Sequence, residues 1–199
     1  MFCQESELNM NETLEIKGAG ILSIVDFVKS THGPDGYATW LGALSAEARN
    51  LAESTIFASS WYGGYSAVFE LREKVCDVFY GGDAQSAREI GRFAAMQGLR
   101  GIYKALVKLG SVDWVVSRAS AVATRYFRPI EITTLVHEKQ RLRVRMEGVN
   151  TPAETMEASL CGFIARAMEI SGGEDVAVHC PVALSKGDPY IEFECSWHD

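Results

Sequence analysis

Residues 129–147 read Pro129-Ile130-Glu131-Ile132-Thr133-Thr134-Leu135-Val136-His137-Glu138-Lys139-Gln140-Arg141-Leu142-Arg143-Val144-Arg145-Met146-Glu147, and their period decides the fold. Ile130, Ile132 and Thr134 alternate with Glu131 and Thr133. After the polar turn at His137–Gln140, Leu142, Val144 and Met146 alternate with Arg141, Arg143, Arg145 and Glu147. A period of two with one apolar side belongs to a strand whose faces differ. The segment therefore predicts a hairpin with one face buried and the other charged.

Downstream, Asn150-Thr151-Pro152-Ala153-Glu154 is a helix start, with proline near the first turn and glutamate where the helix dipole favours it. Met156, Leu160, Phe163, Ile164 and Ala167 form its apolar stripe, and Gly172-Gly173 ends it. Two further strands follow, Asp175 to Cys180 and Tyr190 to Trp197, which gives a ββαββ C-terminal part. Upstream the period is near 3.6. A dense apolar helix around Ile21–Val28 stops before the turn signal Gly33-Pro34-Asp35-Gly36, and Ser45 caps a short helix. Another helix carries Val68, Phe69, Leu71, Val75 and Val78 on its apolar side, with Glu70, Arg72, Glu73 and Lys74 read as polar. Gly81-Gly82 ends it and Asp83 caps the next. That next helix, about 84–109, is rich in small residues (Ala87, Gly91, Ala94, Ala95, Gly98), which let a second backbone approach closely. A last helix runs from Asp113 to Ala123. The fold class predicted is α+β, with N-terminal helices packed on one face of a four-stranded antiparallel sheet. Residues 1–14 read as a flexible segment and 15–199 as a single domain.

The 199 residues, 47% hydrophobic and 23% charged, suit one folded domain. Lys plus Arg is 19 against 26 for Asp plus Glu, a net charge of −7. That balance argues against binding nucleic acid through phosphate neutralisation and against docking on an anionic membrane. No apolar run reaches the ~18 residues of a spanning helix, and the acidic start lacks the pattern of a signal peptide. The expectation is a cytoplasmic protein, not inserted in a membrane. Cys3, Cys76, Cys161, Cys180 and Cys195, odd in number and widely spaced, read as free thiols.

Several of these residues carry a resemblance. Arg125-Tyr126-Phe127-Arg128-Pro129, the hairpin, Gly162-Phe163-Ile164, and the ending with Cys180 and Gly187-Asp188-Pro189-Tyr190-Ile191-Glu192-Phe193 resemble the 4-vinyl reductase domain. That domain shares a superfamily with the haem nitric-oxide-binding domain and the small subunits of the TRAPP vesicle-tethering complex. Lys17-Gly18, Ser60-Trp61-Tyr62 and Leu109-Gly110-Ser111 resemble uncharacterised stand-alone members common in myxobacteria. The likeness spans about residues 15 to 197. It implies a TRAPP-like ligand-binding domain with a hydrophobic cavity between helices and sheet, where relatives hold phenolic effectors, acyl chains or haem.

In phenol-sensing relatives the domain carries structural zinc near the last hairpin, but here Ile191 and Ala183 stand where ligands are expected. Cys161, Cys180 and Cys195 face one way by alternation, short of the four ligands zinc prefers. They read as packed thiols, with no metal expected. Haem needs an axial ligand, usually His, in an apolar pocket. His32, His137, His179 and His198 are poorly placed for that, and the Tyr-x-Ser-x-Arg motif of the nitric-oxide sensors is missing. Trp61, Tyr62 and Tyr65 read either as the mouth of a ligand cavity or, preferably, as core anchors. The arginine stripe is expected to pair across the sheet with Glu131, Glu192 or Glu194. No catalytic constellation or nucleotide motif is present.

The leading reading is a non-enzymatic sensor or adaptor that binds a small apolar ligand without a resident cofactor. Candidate ligand-binding residues are Trp61, Tyr65, Trp114, Tyr126, Cys161, Ile164 and Cys180, around a gap that Phe at Ala95 or Ala167 is expected to fill. The alternative is a protein–protein interaction module without ligand; a haem sensor, a zinc sensor and a reductase rank below both. Abundant small residues on the helices, and dimerising relatives, point to a homodimer.

Overall fold

The hairpin is present: β4 (Glu131–Glu138) and β5 (Arg141–Glu147) pair antiparallel, turning at Lys139 and Gln140. The computed structural model describes residues 14–98, 112 and 119–198. Leu142, Val144 and Met146 are buried, as their alternation demands, and the intervening arginines lie on the opposite face. The helix predicted from Pro152 onward is α6 (Glu154–Ile170), followed by β6 (Glu174–Val182) and β7 (Ile191–His198). The four strands form an antiparallel sheet in the order β4-β5-β7-β6. Cys195 lies between Leu142 and Val178, so the inner face is continuous across three strands.

The outer face of the sheet is an ion-pair ladder. Arg141 pairs with Glu194 at 2.7 Å, and Arg145 pairs with Glu192 at 2.9 Å. Arg143 also closes on Glu192, whose side chain is buried beneath both arginines. The expected cross-strand pairing is therefore realised through Glu192 and Glu194. Two positions of the Gly187–Tyr190 motif have visible jobs. Asp188 Oδ2 accepts the Ala183 N–H at 2.8 Å, and Tyr190 stacks beneath the Arg145 guanidinium at 3.9 Å.

The N-terminal part is helical: α1 (Gly18–Ala43), α2 (Ala46–Glu53), a π-helical turn (Ser66–Glu70) running into α3 (Leu71–Tyr80), and α4 (Ala87–Gly98). The Gly33-Pro34 signal proves to be a kink inside α1 rather than its end. Gly33 takes φ 68° and ψ −171°, and Pro34 restarts the helix where no N–H donor is required. Ser45 caps α2 by accepting the Ala48 N–H, and Gly81 closes α3 in the left-handed conformation. The π-turn buries Glu70, whose carboxylate accepts from the Ser45 N–H and the hydroxyls of Ser45 and Ser66. Burial alone would raise the Glu70 pKa, but these donors hold it below the ordinary value.

A small sheet that the sequence pattern does not predict joins the two halves. Strands β1 (Glu15–Lys17), β2 (Trp61–Gly63) and β3 (Phe127–Arg128) lie in the order β2-β1-β3. They hold Lys17, Trp61-Tyr62 and Phe127-Arg128, parts of three of the quoted motifs. Helix α5 (Ala119–Tyr126) leads into β3. The expected segment 1–14 lies almost wholly outside the described residues, as do the small-residue helix beyond Gly98, the Leu109-Gly110-Ser111 motif, and Trp114. No helix among the described residues is long and apolar enough to cross a membrane.

Candidate functional site

Helix α6 is sandwiched between the sheet and the N-terminal helices, so both of its faces meet protein. On the helical side, a cavity of about 290 Å³ opens among α1, α4 and α6. The room for it comes from small side chains: Ala19 and Gly20 on α1, and Gly91, Ala94 and Gly98 on α4. Larger apolar groups complete the wall, with Ile16 from β1, Ile90 from α4, Phe127 from β3, and Met156, Leu160 and Phe163 from α6. A handful of polar groups converge on this apolar space, which is the usual character of a small-molecule site. Ser23 Oγ donates to the Gly20 carbonyl at 2.7 Å, and Gln97 Nε2 donates to Asp26 Oδ2 at 3.4 Å on the exposed edge. Ser159 and Tyr126 also line the cavity.

The remaining polar group is Arg72. It is 4% exposed, and Nη1 donates to the Val68 carbonyl at 3.0 Å one turn back. Its Nε has no partner, and among the described residues it forms no ion pair. Burial pulls its pKa down to about 10. By charge Arg72 reads as part of a polar face, yet its position carries a signal. It follows Val68 by four residues and precedes Val75 and Cys76 by three and four, on the apolar stripe of its helix.

The seven residues singled out from sequence are dispersed. Tyr126 lies on the cavity wall. Trp61 sits on the small sheet, with Lys17 Nζ 4.0 Å and the Arg128 guanidinium 4.5 Å from its ring. Tyr65 is exposed and donates to Glu73, which with partial burial pushes its pKa up to about 12. Ile164 is half-buried against the core, and Trp114 lies outside the described residues. Cys161 and Cys180 line a second, more polar pocket of about 230 Å³ between α6, β6 and the loop after β6. Of the apolar stripe read on α6, Met156, Leu160 and Phe163 line the helical cavity. Ala95 and Ala167 are buried without lining it.

Several polar groups of the second pocket are engaged by the protein, and His179 also lines it. Glu157 accepts from the Ser185 N–H and hydroxyl, Arg88 donates to the Val178 carbonyl, and Lys186 Nζ donates to the Cys180 carbonyl. Burial, reinforced by the charge of Cys161, pushes the thiols of Cys180 and Cys195 up to about 12, and burial also raises Cys161. Among the described residues, no three His, Cys, Asp or Glu side chains converge to hold a metal ion.

No protein-family model matches the sequence, and no curated protein matches it. Solved structures do match in fold. An H-NOX protein from S. oneidensis in the Fe(II)NO ligation state superposes with a TM-score of 0.70 at 12% identity, over 92% of this chain and 100% of that one. An Fe(II) unliganded H-NOX protein from K. algicida superposes with a TM-score of 0.69 at 9% identity, over 92% and 97%. The chain thus shares the fold of these H-NOX proteins.

The fold makes haem the cofactor to test, and histidine is its usual axial ligand. None of the four histidines lines the cavity. His32 stacks on Phe79 with ring centroids 3.6 Å apart, its Nε2 buried without a partner, and burial lowers its pKa. His137, His179 and His198 are exposed on the strands. The side chains present do not fit a histidine-ligated haem.

Proposed function

We propose that this protein is a non-enzymatic sensor or adaptor that holds a small hydrophobic ligand among α1, α4 and α6. The carrying observation is the cavity itself: about 290 Å³ with a mainly apolar wall. A mainly apolar space with a few polar groups on its wall favours a hydrophobic guest that those groups orient. The neighbours in fold include H-NOX proteins in Fe(II)NO-ligated and unliganded Fe(II) states, which supports ligand binding in this architecture. The missing cavity histidine favours an organic guest over haem. Kinship with 4-vinyl reductase and TRAPP domains belongs to the same proposal, supported by the motifs that build the small sheet and anchor the last loop. So does a cytoplasmic setting, supported by four free thiols, and association as a homodimer, supported by exposed Phe57 and Tyr65.

Native mass spectrometry of the purified protein, with an absorption spectrum of the same sample, tests the reading. The expected result is a retained small organic molecule and no Soret band. A Soret band would replace this reading with a haem sensor. A bare protein that takes up no hydrophobic probe would leave the surface-interaction module.

A further inference from the structure

We infer that the ligand of this cavity is an organic acid, a small apolar molecule whose carboxylate pairs with Arg72. The inference rests on the cavity reading above and narrows it. An arginine shielded from water and lacking a counter-charge is unfavourable, because burial removes hydration without replacing it. Arg72 is 4% exposed with Nε unpartnered and no direct ion pair among the described residues, on the wall of a mainly apolar space.

The nearby carboxylates are committed elsewhere. Glu70 is held by Ser45 and Ser66, Glu73 accepts from Tyr65, and Asp26 is bonded to Gln97 at the cavity edge. Glu73 acts on Arg72 only at a distance, so a directly paired charge would arrive with the ligand. A guanidinium offers donors in a planar fork that matches the two oxygens of a carboxylate. A single buried cation balances a monoanion and leaves a phosphate dianion half-neutralised. The acid's body then lies against Ile90, Met156, Leu160 and Phe163. A cavity of about 290 Å³ suits a medium-chain or aryl-substituted acid.

The test titrates the native protein with octanoate and with 1-octanol at pH 7, by calorimetry. The two probes share a chain length and differ in head-group charge. The expected result is at least tenfold tighter binding of octanoate. Arg72→Met should abolish that preference, and Arg72→Lys should retain part of it. Octanol binding as tightly as octanoate would overturn the acid inference and leave the apolar cavity standing, as would a preference that persists in Arg72→Met. If neither probe binds, the cavity reading falls as well. Should Arg72→Met fail to fold, the comparison on the native chain still decides.

Discussion

Gly91 on α4 and Gly162 on α6 meet each other's helix across one crossing. A Cβ on Gly91 would lie 1.8 Å from the Ser159 carbonyl oxygen, and one on Gly162 would lie 2.0 Å from the Arg88 carbonyl oxygen. Two helix backbones are thus in contact, and that contact sets the width of the cavity beside it.

Gly91→Ala and Gly162→Ala should each destabilise the protein, because the obstruction is main chain and cannot rotate away. The expected loss is about 1–3 kcal/mol, against a helix-propensity gain of about 1 kcal/mol from replacing glycine. Gly42→Ala is the control, since its added methyl meets nothing within 4 Å. Thermal melts should show Gly42→Ala unchanged or higher and the two crossing variants lower. Equal melts for all three would show that the helices are not in contact.

The elements with strong periodicity were legible in the sequence. The hairpin, α6 and the last two strands fall within a few residues of where alternation and turn residues put them. The small sheet was not, because strands of two or three residues give no period. Gly33-Pro34 was misread because the same pair that ends a helix also restarts one. The cavity wall was half legible: Gly91, Ala94 and Gly98 are small at helical spacing, but which neighbour they face is a tertiary fact. Arg72 went unread because its charge outweighed its position on an apolar stripe.

Filling the cavity should separate Ala94 from its neighbour. Ala94 lines the cavity, whereas Ala95 is fully buried in the core. Ala94→Leu should leave the melting temperature nearly unchanged and abolish retention of a hydrophobic ligand. Ala95→Leu should overpack the core at a cost of about 1–3 kcal/mol, lowering the melt by about 2–12 °C. Equally large losses for both would mean that the space beside α4 is filled.

The same helix pair is clamped by a charge. Arg92 reaches Glu169 through both nitrogens, at 2.8 and 2.9 Å, and Arg166 adds a third contact at 2.9 Å. The hydrogen bond from Arg92, then that from Arg166, hold Glu169 below the ordinary glutamate value against a smaller opposing effect of burial. A depressed folded pKa contributes stability above the unfolded value of about 4.3 and loses it as pH falls through the folded value. Glu169→Gln should therefore cost about 0.5–1 kcal/mol at pH 7, the modest worth of a partly exposed pair. The gap between native and variant should narrow as pH falls below about 4.3 and close once pH is below the lowered folded value. A gap of constant size from pH 7 to pH 3 would show that the charge plays no part.

The thiols give the last test. Attack on a disulfide reagent needs the thiolate. With the pKa of Cys180 and Cys195 pushed up to about 12, about one thiol in ten thousand is ionised at pH 8. Cys76 and Cys161 are buried and also raised. In a Cys3→Ser background, which removes the cysteine outside the described residues, the folded protein should show no fast-reacting thiol toward dithionitrobenzoate at pH 8. All four should react once denaturant exposes them and returns their pKa to about 8.5. A fast native thiol assigned to Cys161 or Cys180 would mean that the second pocket admits solvent and stabilises a thiolate. That outcome would move the search for chemistry from the helical cavity to the seam between α6 and β6.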